Sequence, residues 1–178
     1  MRCFSRSSIA TIGENLQLQS VSRISVSDIV DEGFGHIGSY SHGSMEPGLG
    51  KAASIVVVRG SGSEASDVSE LADGLAMQVV ASAPLFLNES DVPAEALEKE
   101  LELFKTQAAE KAKKPEFVEK IATGMLTKWK KEVCLVDQEY VIVGQDDKKM
   151  VVSKVLEAAG KKAGCGALDV VHFDRCAI

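Results

Sequence analysis

Aromatic side chains are scarce in this chain, at 5% of 178 residues with a single Trp. So thin a supply excludes a platform on which bases could stack. Positive charge is also short. There are 20 Lys and Arg against 26 Asp and Glu, a net charge of −6, whereas phosphate contacts need clustered cations. Direct nucleic-acid binding is therefore not expected. No apolar run approaches the roughly 18 residues of a membrane-spanning helix, so no membrane span is expected either. The four cysteines stand at 3, 134, 165 and 176, with no Cys-x-x-Cys pair. His36, His42 and His172 lie at no ligand-like spacing to them or to each other. No metal site is expected from that spacing. The simpler reading is small, buried, reduced cysteines in a reducing compartment.

Recognisable catalytic or cofactor-binding patterns are missing as well. Gly48-Leu-Gly-Lys51 is a fragment of a phosphate loop, but Met45 and Ala52 stand where the motif needs Gly and Ser or Thr. The segment also precedes a strand rather than a helix. Gly60-Ser-Gly-Ser63 reads as a linker. No Ser or Cys sits in a nucleophile elbow. The carboxylates gather on one charged, exposed stretch, where nothing perturbs them toward acid–base work. His172 falls in a predicted strand and reads as a core or edge residue. An enzyme is not expected, and no cofactor is.

What is present is a hydrophobic fraction of 45%, enough for a substantial core. Leu16–Val26 alternates apolar and polar residues, the period of a half-buried strand. Gly35–His42 and Ala52–Val58 follow as strands joined by short loops, which predicts an antiparallel three-stranded meander. Asp67-Val-Ser-Glu70 reads as a capping box. Val68, Leu71, Ala72, Leu75, Ala76, Val79 and Val80 then make one wide apolar face, as in a helix lying on a sheet. Next, Asp91 can cap a helix and Pro93 fits its first turn. Leu97, Leu101, Phe104 and Ala108 form a narrow seam. Lys113-Lys-Pro115 turns the chain, and Val118, Ile121, Met125 and Trp129 form a matching seam. Between Ala94 and Glu132 there are eight acidic residues and nine Lys. Two helices charged on all but one stripe can satisfy only each other, which predicts an antiparallel coiled-coil pair projecting from the body. The charge is read as a solvated face. Val133–Val136 and Tyr140–Val143 read as short extended pieces and Gln145–Lys149 as a loop. Met150–Lys162 reads as a helix ending near Gly160 or Gly164, and Ala167–Phe173 as a closing strand.

The expected class is α+β: a three-stranded antiparallel sheet packed by helices, with a protruding antiparallel helical hairpin. Residues 1–11 carry two Arg, three Ser and no acid, a composition like that of an organelle transit peptide. They are expected to be a terminal extension, a transit-peptide remnant. Residues 12–90 and 134–178 form the core and its return, and 91–133 the hairpin.

Five stretches point together to a family. They are Ile12-Gly-Glu-Asn-Leu16, Gly38-Ser-Tyr-Ser-His-Gly43, Leu71-Ala-Asp-Gly-Leu-Ala-Met-Gln78, Asp91-Val-Pro-Ala-Glu95 and Lys130-Lys-Glu-Val-Cys-Leu-Val-Asp-Gln138. In that order they closely resemble the C-terminal half of translation elongation factor Ts. The resemblance runs from Ile12 to Phe173, with extra residues around 44–50. It implies an α+β core bearing a coiled-coil module. It also implies guanine-nucleotide exchange on elongation factor Tu, achieved by docking; with the transit-peptide-like composition of residues 1–11, the expected setting is organellar translation (mitochondrion or plastid; otherwise cytoplasmic). Tyr40, His42 and Gly43 match the family's Ser-Tyr-x-His-Gly stretch, whose His lies at the partner interface. Gln138 and Tyr140 stand where the family has Gln-Pro-Phe, and are expected partner-binding residues with them.

The departures are equally specific. The family's N-terminal helical domain and its Thr-Asp-Phe-Val stretch, whose Phe loosens the magnesium site of the partner, have no counterpart in these residues. Gln19-Ser20 replaces Arg-Arg. Gln138-Glu-Tyr140 replaces Gln-Pro-Phe, and His172-Phe-Asp-Arg-Cys-Ala177 replaces the closing Arg-Phe-Glu-Val-Gly-Glu. The alternative they raise is an exchange-inactive structural or accessory subunit of a large organellar complex, built on a reused elongation factor Ts core.

Overall fold

The computed structural model describes residues 10–14, 20–44, 46, 48–62, 66–111, 116–142 and 150–178. Residues 1–9 of the extension, the first part of Leu16–Val26, the Lys113–Pro115 turn and the 145–149 loop lie outside them.

The sheet is built on Val56, Val57 and Val58, each 0% exposed. Three consecutive buried β-branched residues need cover on both faces, so they belong to a central strand. Strand β2 (Ala52–Gly60) is that strand. β1 (Phe34–His42) pairs with it antiparallel from Phe34↔Gly60 to His42↔Ala52. On its other side runs β3 (Leu168–Ala177), also antiparallel. A bulge between Val57 and Val58 leaves Val171 as the extra residue, since His172 and Val170 are their partners. The sheet is three-stranded and antiparallel, as predicted, but it is not the sequential meander. Residues 20–25 form no strand, and Val26–Asp28 is a single 3-10 turn. Side chains of Val26 and Val30 lie where a Cβ on Gly35 would project. This segment therefore covers the sheet without pairing to it, and both flanks of β2 are already taken.

Helix α1 (Ser66–Ser82) lies on the other face. Val68, Ala72, Leu75, Ala76 and Val79 are buried, matching the predicted stripe. At Gly38 a Cβ would collide with the Ala72 backbone, so strand and helix meet main chain to main chain. The Ser54 hydroxyl donates to the Ala76 carbonyl at 2.6 Å, which satisfies a buried polar group. The helix begins at Ser66, which puts Asp67 inside the first turn instead of at a capping box. There its charge favours the helix N-terminus, and it pairs with Lys162 at 3.1 Å. Ala83, with φ of 44°, turns the chain left-handed and Pro84 follows, so the helix stops.

The hairpin is α2 (Ala94–Lys111) and α3 (Glu116–Val133), packed against each other as an antiparallel pair. Asp91 does not cap α2. Its carboxylate accepts from the Asn88 amide at 2.9 Å, in a capping box around the short turn Glu89–Asp91. The first helical bonds run instead to the Pro93 carbonyl, from Ala96 and Leu97. Leu97, Leu101 and Phe104 are half-buried, as expected, and Ala108 fully so. On α3 the seam passes through Ala122, 0% exposed, while Ile121 is 37% exposed. The small residue sits where the axes come close, and the branched one is turned outward.

The predicted strand Val133–Val136 is instead the end of α3, a parallel bridge from Cys134 to Phe86, and a 3-10 turn at Leu135–Asp137. Tyr140–Ile142 is irregular. Helix α4 (Val152–Ala163) buries Val152, Leu156 and Gly160 and closes on Gly164, whose φ of 66° is the left-handed cap expected there. The main core joins the sheet, α1, Leu135 and α4. Val92, Val133 and Cys134 form a second cluster at the hairpin root, packed by Phe86, Ala96, Leu97 and Trp129.

Candidate docking surface

The five expected partner-binding residues fall into two groups. Tyr40, His42 and Gly43 stand together where β1 ends. Tyr40 packs its ring onto the main core, and its hydroxyl lies 3.3 Å from His42 Nδ1. The rings are 6.2 Å apart and tilted by 37°. A core-anchored Tyr thus holds an exposed His at the rim of the sheet. Gly43 turns the chain with φ of 67° beside the aliphatic stem of Lys51, whose amide donates to the His42 carbonyl at 2.9 Å. The corner can offer a ring nitrogen, an aromatic edge and a lysine within one turn of chain.

Gln138 and Tyr140 lie on the return from the hairpin. Gln138 is 6% exposed and its side chain is turned inward. Its Nε2 donates to the Glu132 carbonyl at 2.6 Å, and its Oε1 accepts from Gln78 Nε2 at 3.1 Å. Tyr140 is half-buried against the main core, with its hydroxyl over Gly74, where any side chain would collide with it. Burial holds the Tyr140 phenol above its ordinary pKa.

Two residues that sequence reasoning left out shape this surface. Asp73 on α1 accepts the Ser39 amide at 2.9 Å. An amide bonded to a helix carboxylate cannot also pair with β2, so Asp73 occupies the open edge of β1. Gln78 is fully buried and links four groups. Nε2 lies 3.0 Å from Ser82 Oγ and 3.1 Å from both Gln138 Oε1 and the Glu139 carbonyl, three acceptors that share its two hydrogens, and Oε1 accepts the Val141 amide at 2.7 Å. Its signal in the sequence was an amide one position from the apolar stripe of α1.

Among the described residues no three His, Cys, Asp or Glu cluster as a metal site. Burial pushes the Cys134 thiol pKa up, and the carboxylates of Asp137, Glu89 and Asp91 add to it. It stays a protonated packing group and not a nucleophile. Among the described residues no helix is long and apolar enough to cross a membrane.

Comparison with known proteins places the chain in a family. The family model for elongation factor TS matches residues 4–178. The chain belongs to the elongation factor Ts family. Among similar relatives, elongation factor Ts of Paramagnetospirillum magneticum is 38% identical over 156 residues, covering 88% of this chain and 46% of that protein. Elongation factor Ts of a Caulobacter species is 36% identical over 170 residues, 96% of this chain and 51% of that one. Mitochondrial elongation factor Ts of Ostreococcus tauri is 41% identical over 124 residues, 70% and 34%. The chain thus spans from a third to a half of the length of these elongation factor Ts relatives.

Proposed function

We propose that this chain binds elongation factor Tu and assists guanine-nucleotide exchange during translation elongation in an organelle. It works by docking, with no covalent step. The observation that carries the reading is the family match across residues 4–178. The corner at Tyr40, His42 and Gly43 supports it, as an exposed His braced by a half-buried Tyr is a suitable contact. Gln138 and Tyr140 serve the same interface from within, by holding the hairpin return against the body. The mitochondrial relative supports the organellar setting.

The test is titration of the purified chain into elongation factor Tu loaded with fluorescent GDP. A complex and faster GDP release are expected. His42→Ala should weaken the complex by about threefold to tenfold, the range of an interface contact short of a hot spot. No complex at any concentration overturns the reading. Native chain recovered in a large assembly without elongation factor Tu would favour the accessory-subunit alternative.

A further inference from the structure

The hairpin has few means of holding its angle. Among the described residues its helices pack chiefly on each other, and the cluster that joins them to the body lies at the root. There the Leu85 and Phe86 amides donate to the Val133 carbonyl at 2.9 and 3.1 Å, and Leu135 N donates to the Phe86 carbonyl at 2.9 Å. These bonds tie the end of α3 to the 85–88 segment, which itself leaves α1 through the turn at Ala83. Lys130 and Glu89 pair across the same joint on the surface, a contact of small worth where solvent screens it.

One further connection runs to the core. The Glu132 carbonyl, in the last turn of α3, accepts from Gln138, and Gln138 accepts from Gln78 in the middle of α1. Gln78 is 0% exposed and Gln138 6%. Gln78 also holds the Glu139 carbonyl and the Val141 amide, so the chain leaving the hairpin is fixed to the same side chain. Two buried amides thus join α1, the end of α3 and the return segment. A buried amide that loses a partner is left unsatisfied in a dry site, so the arrangement resists small displacements.

We propose that Gln78 and Gln138 are positioning residues, a buried amide latch that sets the angle at which the hairpin leaves the body. Resting on the function proposed above, the latch also fixes how the hairpin and the His42 corner are presented to a single partner. The roles of the two residues follow from this. Gln138 acts on docking without touching the partner, and Gln78 does so from the middle of a core helix.

The experiment uses the full chain with Cys3→Ser and Cys176→Ser, spin-labelled at Lys120→Cys on α3 and Lys154→Cys on α4. The distance distribution between labels reads the hairpin angle. Gln138→Met removes both side-chain bonds of Gln138 and leaves the other bonds of Gln78 in place. It should broaden the distribution about twofold while the circular dichroism and the cooperative melting of the body persist. Gln78→Met should do the same and covers the case in which Gln138→Met does not fold. Glu89→Ala, which removes only the surface ion pair, should leave the distribution unchanged. Wild-type distributions in both Met variants would overturn the latch. Broadening by Glu89→Ala equal to that of Gln138→Met would overturn it too, because any root contact would then suffice. Binding to elongation factor Tu, measured in parallel, should fall about tenfold with Gln138→Met. A broadened hairpin with undiminished binding overturns the docking half of the proposal. An unmutated chain that fails to bind counts against the proposed function, while the distances still judge the latch.

Discussion

The body and the hairpin are of similar regularity but are held together by different means. In the body, two faces of a sheet are covered and the core runs from Val56 through Leu75 and Leu135 to Leu156 and Leu168. Among the described residues of the hairpin, only Ala108 and Ala122 are fully buried, and the larger seam residues stay half-exposed. Burying a Leu or Val side chain contributes roughly 1.5–3 kcal/mol, whereas an alanine contributes a fraction of that. Helices of 18 residues are marginal alone in water. The body should therefore set global stability, and the hairpin should depend on its seam and its root.

Three substitutions test that contrast, taken in order of expected effect. Leu75→Ala opens a hole in the main core and should cost about 2–5 kcal/mol in urea denaturation, lowering the whole molecule at once. Ala122→Glu forces a charge into the seam. It should cost the hairpin about 1–3 kcal/mol, with faster hydrogen exchange across 94–133 and unchanged protection in β2. Equal loss of protection in β2 would mean the two regions form one cooperative unit. The smallest effect concerns pH. The Tyr140 phenol is raised by burial in the folded state, so its contribution is complete below the unfolded value near 10 and is lost as pH rises through the folded one. Tyr140→Phe should leave neutral stability nearly unchanged and reduce the alkaline loss; identical alkaline unfolding curves would show that another group is responsible.

The sequence revealed those elements whose own periodicity carries them. The stripe on α1, the two charged helices, the β1 and β2 strands and the cap at Gly164 were all legible before the structure. The third strand was legible as a closing strand at Ala167–Phe173, but its place beside β2 was not. Leu16–Val26 alternates, but alternation reports which face is wet and says nothing of a partner, and β3 closes the sheet from the far end of the chain. Val133–Val136 misled for a related reason, since a short apolar run fits a helix end and a 3-10 turn as well as a strand. At the docking surface, Tyr40, His42 and Gly43 are adjacent in sequence and proved adjacent in space. Gln78 escaped notice because its partners are some sixty residues away.

The strand order carries one consequence for how the chain is made. The central strand gains β1 at once, across a short loop, but waits for β3 until Leu168–Ala177 has left the ribosome. In the meantime α2 and α3, whose contacts are local, can form first. The nascent chain thus carries a finished arm on an unfinished base, with one flank of β2 exposed to wrong neighbours. Loop entropy grows slowly with length, so excising 91–133, less than half of the β2–β3 connection, would change its closure by under ~0.6 kcal/mol. The delay is set by the order of synthesis and hardly at all by the inserted arm.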